Sequence, residues 1–187
     1  MFDRLQTAAK WIAAAALLAA LPDRAAAVGE KFSATAEFES QRTLGTSRIA
    51  FSLIVDRVTS PEEAQQLVNV LEKGGQGMLR SALAGRRDGR ALLGAVEVPV
   101  NVIVVHETED GGRIYSVITD RPLRRSQHVG EDDSAMPFGV LRFEVNSAGS
   151  GEGFFHAATG IRLDENGDFV LSDPLEPGKL IDIRREN

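Results

Sequence analysis

The chain has no cysteine among its 187 residues. Disulfide staples, thiol nucleophiles and cysteine-ligated metals are therefore all excluded, and any fold must rest on core packing. Aromatic stock is thin beyond phenylalanine, with one tryptophan, Trp11, and one tyrosine, Tyr115. Carbohydrate-binding faces built on Trp and Tyr platforms are correspondingly disfavoured. A long apolar run is also missing. The longest, Trp11 to Leu21, covers about a dozen residues, short of the roughly 20 that a bilayer-spanning helix needs.

What is present at the N-terminus has the order of a secretory signal peptide over residues 1–27: positive charge, then apolar residues, then small ones. Arg4 and Lys10 supply the charge, Trp11 to Leu21 the apolar segment, Pro22 a helix break, and Ala25-Ala26-Ala27 a cleavage site. Asp23 and Arg24 make a charged approach to that site, and the competing reading is an uncleaved anchor. Cleavage after Ala27 removes three cations and two anions, which moves the net charge from −6 to −7. It also removes the tryptophan. The remaining residues 28–187 suit one domain with a single core. Their acidity argues against nucleic acid and against electrostatic docking on anionic lipid, since both need a basic face. No stable membrane anchor is expected after cleavage.

Hydrophobic periodicity switches from two to about 3.6 and back along this domain. Phe32, Ala34, Ala36 and Phe38 alternate with polar residues, and Ile49, Phe51, Leu53 and Val55 do so again, which predicts an antiparallel hairpin turning at Thr43-Leu44-Gly45-Thr46. Ser60, Pro61 and Glu63 then form the start of a helix with a capping box. Ala64, Leu67, Val68 and Leu71 make its apolar face, and Gly74-Gly75 ends it. A second short helix, about 76–84, is predicted to turn Met78, Leu79, Ala82 and Leu83 inward. Beyond the polar turn Arg86-Arg87-Asp88-Gly89, strand patterns continue: 91–96, 98–107, 113–119, 138–145, 153–158, 160–164, 168–171 and 179–184. Pro99 marks a bend or an edge because it lacks an N–H for a ladder. Asp110-Gly111-Gly112 is a hairpin turn. Near the end of the chain, a bulged turn through Gly167 pairs Leu163 with Phe169 and Ile161 with Leu171, which puts four apolar residues on one face.

The chemical motifs are weak. Asp164, Asn166 and Asp168 have calcium-loop spacing, but Phe169 stands where that loop needs glycine and Leu175 where it needs glutamate. Gly149-Ser150-Gly151-Glu152-Gly153 runs on into a strand rather than a helix, so it reads as a glycine-rich link and not a phosphate loop. His106, His128 and His156 lack the short spacing of a zinc pair. A hydrolase or metal-dependent enzyme would have to bring two of them together with a carboxylate. The polar loop 121–135 gathers Arg121, Arg124, Arg125 and His128 into a candidate anion site, followed at once by Glu131, Asp132 and Asp133. No motif implies a cofactor or nominates a catalytic residue.

The strand Phe51-Ser52-Leu53-Ile54-Val55-Asp56-Arg57, the helix start Thr59-Ser60-Pro61-Glu62-Glu63, the face Leu67-Val68-Asn69-Val70-Leu71 and the strand entry Met136-Pro137-Phe138-Gly139 resemble a group of small exported bacterial proteins of unknown function. The resemblance covers most of the domain and consists of strand, helix and turn patterns. It implies export and architecture but carries no activity, cofactor or site residue. The expected fold is α+β: an antiparallel sheet of about eight strands in meander order, strongly curved or barrel-like, with a helical pair inserted after the second strand and packed on the sheet's apolar face. An unfilled barrel would suit a small apolar ligand. The expected function is a non-enzymatic exported domain that binds a protein partner or such a ligand, with the enzyme as the alternative.

Overall fold

A computed structural model describes residues 29–40, 45–123, 136–163, 169–172 and 177–186. The strands are β1 (Lys31–Ser40), β2 (Gly45–Val55), β3 (Gly89–Leu93), β4 (Val96–Val100), β5 (Val102–Glu107), β6 (Arg113–Thr119), β7 (Phe138–Val145), β8 (Ser150–Leu163), β9 (Phe169–Ser172) and β10 (Gly178–Glu186). One helical element, α1 (Pro61–Leu83), follows β2. All strand pairs are antiparallel, in the order β4-β3-β2-β1-β10-β8-β7-β6-β5, with β9 paired to β8 alone.

The sheet is barrel-like and nearly closed, and its two ends are halves of one bent strand. β4 and β5 are separated by Asn101 only; the first half pairs with β3 and the second with β6. A strand that changes direction at a corner lets a sheet fold back on itself. Asn101 is buried and holds this corner. Its side-chain amide donates to the carbonyls of Leu83 and Arg86, each at 3.0 Å, its side-chain oxygen accepts from the Asp120 N–H at 2.7 Å, and its own N–H donates to Ile118 O at 3.0 Å. Periodicity alone joins residues 98–107 into one straight strand; the buried amide bends it.

The expected curved antiparallel sheet is present, with ten strands rather than about eight. Residues 91–96 divide at Gly94, whose φ of 63° fits a tight turn, and 153–158 merges with 160–164 into the long β8. Gly45 and Thr46 lie within β2 rather than in the hairpin turn. Meander order holds within β1–β4 and within β5–β8, but β10 joins the halves by pairing with both β1 and β8. Pro99 sits on the edge strand β4, as its missing N–H requires. The pairs Leu163–Phe169 and Ile161–Leu171 occur as expected, with the turn between them outside the described residues.

Two apolar layers result. Inside the barrel, Tyr115 and Phe143 are direct cross-strand partners and stack with ring centroids 4.9 Å apart, while Phe32 meets both edge-on at 4.9 and 5.2 Å. Leu53, Val100, Val117, Leu141 and Leu180 are among the other buried residues of that layer. Outside it, α1 lies on the opposite face of β5 to β8, where Leu67, Leu71, Leu79 and Leu83 meet Val102, Val104, Ile118, Val140, Ile161 and Phe169. Burying each such leucine stabilises the fold by about 1.5–3 kcal/mol.

Ser60 Oγ accepts from the Glu63 N–H at 3.1 Å and Glu63 accepts from the Ser60 N–H at 2.8 Å, so the capping box forms. The expected pair of helical segments forms one continuous element with no loop between them, interrupted by a kink at Gly75, where φ of 64° and ψ of −165° are not helical. Helical geometry resumes past the kink because Leu79 and Leu83 continue the same apolar face onto the same sheet. The second half buries fewer residues than expected: Leu79 and Leu83 are buried, but Met78 is 54% exposed and Ala82 exposed. The glycines at the start of β8 are strand residues that let neighbouring strands approach; a Cβ on Gly151 would come within 1.7 Å of Glu144 O.

Candidate functional site

Cross-strand register fixes which polar side chains share the outer face beside α1. Val104 pairs with Ser116, Ser116 with Arg142 and Arg142 with Phe154, giving one row across β5 to β8. The next row toward the strand ends is His106, Ile114, Glu144 and Glu152, and the row toward the helix is Val102, Ile118, Val140 and His156. Arg142 stands at the centre of this set, half-buried, with Ser116 and His156 buried and His106 half-buried. Burial holds the Arg142 guanidinium below the usual arginine range, with Glu144 partly offsetting it. Burial also pushes the His106 imidazole down, and the nearby positive charge of Arg142 adds to that. The His156 ring meets Phe154 edge-on with centroids 6.2 Å apart. Planar donors, a hydroxyl and an aromatic wall are thus gathered at the border of an apolar layer. Such a set suits a ligand that carries an acidic group.

The sequence candidates fall differently. His106 and His156 share a face but stand three strands apart, which at about 4.8 Å per strand is roughly 14 Å across the sheet. They do not form a two-histidine centre. No group of three or more His, Asp or Glu among the described residues is arranged to hold a metal. Arg121 is exposed and pairs with Asp120 at 2.9 Å. Arg124, Arg125 and His128, with the Glu131-Asp132-Asp133 run, lie outside the described residues. So do the calcium-like segment 164–168 and the leader 1–27.

Arg142 escaped the sequence reading because a charge in an alternating strand normally faces water. A signal was present: in β7 it shares a face with Phe138 and Val140, so it marks the edge of a covered patch. Two further polar clusters were equally hidden. At the foot of α1, Asp88 is fully buried, and Arg57 donates to its Oδ1 through Nε at 3.1 Å and Nη2 at 2.6 Å. Arg86 Nη2 lies 3.3 Å from Oδ2, to which Thr59 also donates. The polar turn expected at 86–89 is therefore an anchor. At another edge of the barrel, Glu30 accepts from Tyr115, from Arg113 at 2.9 Å and from Arg185 at 3.2 Å. Burial first, and then the hydrogen bond to Glu30, drive the Tyr115 phenol well above its usual range.

The barrel interior carries the aromatic stack where an apolar ligand would sit. The cavity between α1 and the outer face, lined by Ala64, Leu67, Leu79, Val102, Val104 and Phe169, measures about 20 Å³, room for about one water molecule. Among the described residues no helix is long and apolar enough to cross a membrane. Comparison with family models, with curated proteins and with solved structures returns no match.

Proposed function

We propose that this chain is an exported, non-enzymatic binding domain that recognises an acidic group of its ligand or partner on the outer sheet face around Arg142, Ser116 and His106. The observation that carries this reading is the half-buried guanidinium of Arg142, set between Ser116 and Phe154 in one cross-strand row. Desolvated arginine binds carboxylates more strongly than an exposed one, because water competes less for its donors. The filled interior moves the expected ligand from the barrel to its surface.

Export is supported by the order of positive charge, apolar run and small residues over 1–27, which is that of a secretory signal peptide. The resemblance to small exported bacterial proteins belongs to the same reading. Sequencing the N-terminus of protein recovered from the exported fraction should give Val28; a start at Met1 overturns the leader.

The site is tested with isotope-labelled protein titrated with acetate, benzoate and inorganic phosphate while amide chemical shifts are followed. Saturable shifts at Ser116, Arg142 and Phe154 that vanish in Arg142→Gln support the reading. Shifts elsewhere, or shifts that survive the substitution, sink it. Binding should tighten with acidity, since His106 is neutral at pH 7 and gains charge only below its depressed pKa.

A further inference from the structure

Met78 is the one large apolar side chain left strongly exposed among the described residues, at 54%. Its position is specific. It sits one turn after Gly74 on α1, and a Cβ on Gly74 would come 1.9 Å from its sulfur and 2.4 Å from its Cγ, so the thioether fills the space that the glycine leaves open. The next residue, Gly75, has the non-helical φ of 64° that kinks the helix. Across the kink, Gln76 Oε1 accepts from the Ile161 N–H at 3.1 Å, tying the helix to β8. Leu79 and Leu83, which cover the outer sheet face, hang from the short half that begins here. No cysteine in the chain competes for an electrophilic oxidant.

From this geometry we infer that Met78 is an oxidation site whose chemical state controls how firmly the second half of α1 lies on the sheet. The reagent class is a hydroperoxide. The sulfur lone pair attacks the terminal oxygen, the O–O bond breaks and an S–O bond forms. The thioether is thereby oxidised by two electrons, and the alkoxide released, or hydroxide in the case of hydrogen peroxide, takes the proton from the new S–OH group and leaves as an alcohol or as water. The sulfoxide is polar, bulkier and chiral, and it forms over Gly74 at the point where the helix is already interrupted. Packing of the sulfur on Gly74 is lost, and the segment 76–83 opens more often. Methionine sulfoxide reductases reverse this chemistry, so the site can act as a switch.

The test uses the full exported chain with dilute hydrogen peroxide, followed by tryptic mapping. Met78 falls in the peptide 74–80 and the half-buried Met136 in 126–142, so each reports separately. Met78 should gain one oxygen about fivefold faster than Met136 in the native protein, and the two rates should converge in urea. Equal native rates, or Met136 reacting first, overturn the site. Hydrogen exchange is then compared between oxidised and untreated protein, with peroxide-treated Met78→Leu as the control. Exchange in 76–83 should rise about threefold in the oxidised protein and stay unchanged in the leucine variant. Oxidation without that rise overturns the control of the helix.

Discussion

Replacing Asp88 by alanine should destabilise this domain more than any surface charge change. Its carboxylate is fully buried, accepts from Arg57, Thr59 and Arg86, and lies where the foot of α1 meets the start of β3. The Thr59 hydroxyl that donates to Asp88 also accepts from the Ile103 N–H at 3.0 Å, and the Thr59 N–H donates back to Ile103 O at 2.8 Å, so the cluster pins the edge of β5. Removing one partner of a buried ion pair costs about 3–5 kcal/mol. Arg57 is 46% exposed and keeps Glu63 at 2.6 Å, so it recovers part of the loss through water, which favours the lower end, about 3 kcal/mol. In urea, with a slope of about 2 kcal/mol/M for a domain of this size, the midpoint falls by roughly 1.5 M. Asp56→Ala is the control, because Asp56 is half exposed and meets Arg90 only at 3.9 Å; its shift should stay below about 0.3 M. A double-mutant cycle between Asp88→Ala and Thr59→Val should show coupling of at least about 1 kcal/mol. The reasoning fails if Asp88→Ala moves the midpoint by no more than the control does.

Three shorter expectations follow from the same geometry. Tyr115 is the sole tyrosine, so phenolate absorbance reports it alone. The native protein should show no rise through about pH 10–11, where the urea-unfolded chain titrates normally, and a native midpoint near 10 would refute its burial against Glu30. Glu63 feels opposing influences: burial raises its carboxyl, but hydrogen bonds from Arg57 and the Ser60 N–H outweigh it and lower the pKa. Its contribution is present above the unfolded value near 4.5 and is lost as pH falls through the lower folded value, so Glu63→Gln should flatten the acid limb of stability against pH. An unchanged limb would count against that. Asp182 has φ of 55° beside the register shift in β10, a conformation that glycine adopts without strain. Asp182→Gly should raise stability by about 0.5 kcal/mol and Asp182→Val lower it by about 1 kcal/mol or more, with denaturant midpoints deciding.

Much of this fold was legible because local patterns and tertiary demands coincide. Alternation in Phe32 to Phe38 and Ile49 to Val55 names the inner face of the first hairpin, since a pleated strand leaves no other way to bury those side chains. The signals at Ser60, Pro61 and Glu63 act within one turn of chain and fix the helix start. The shared face of Ile161, Leu163, Phe169 and Leu171 sets the β8–β9 register, because a slip by one residue would turn them to water. Glycine at 74–75 is read locally as a stop. It becomes a kink because the apolar face beyond it still has sheet to cover.

Of the candidate site, the sequence picks out only His106 and His156. Arg121, Arg124, Arg125 and His128 draw attention by being close in sequence, whereas Ser116, Arg142, Phe154 and His156 come from β6, β7 and β8 and meet only through register. The chain by itself determined the absence of thiol chemistry, the acidic charge, the strand and helix faces and the helix cap, since each depends on residue type or on neighbours within a few positions. Tertiary structure decided the bend at Asn101 that lets the sheet close, the burial of Asp88 in what reads as a polar turn, the aromatic filling of the barrel and the half-buried position of Arg142. Those outcomes depend on which distant segments arrive beside a residue and how much water they displace, and that is a property of the packed sheet.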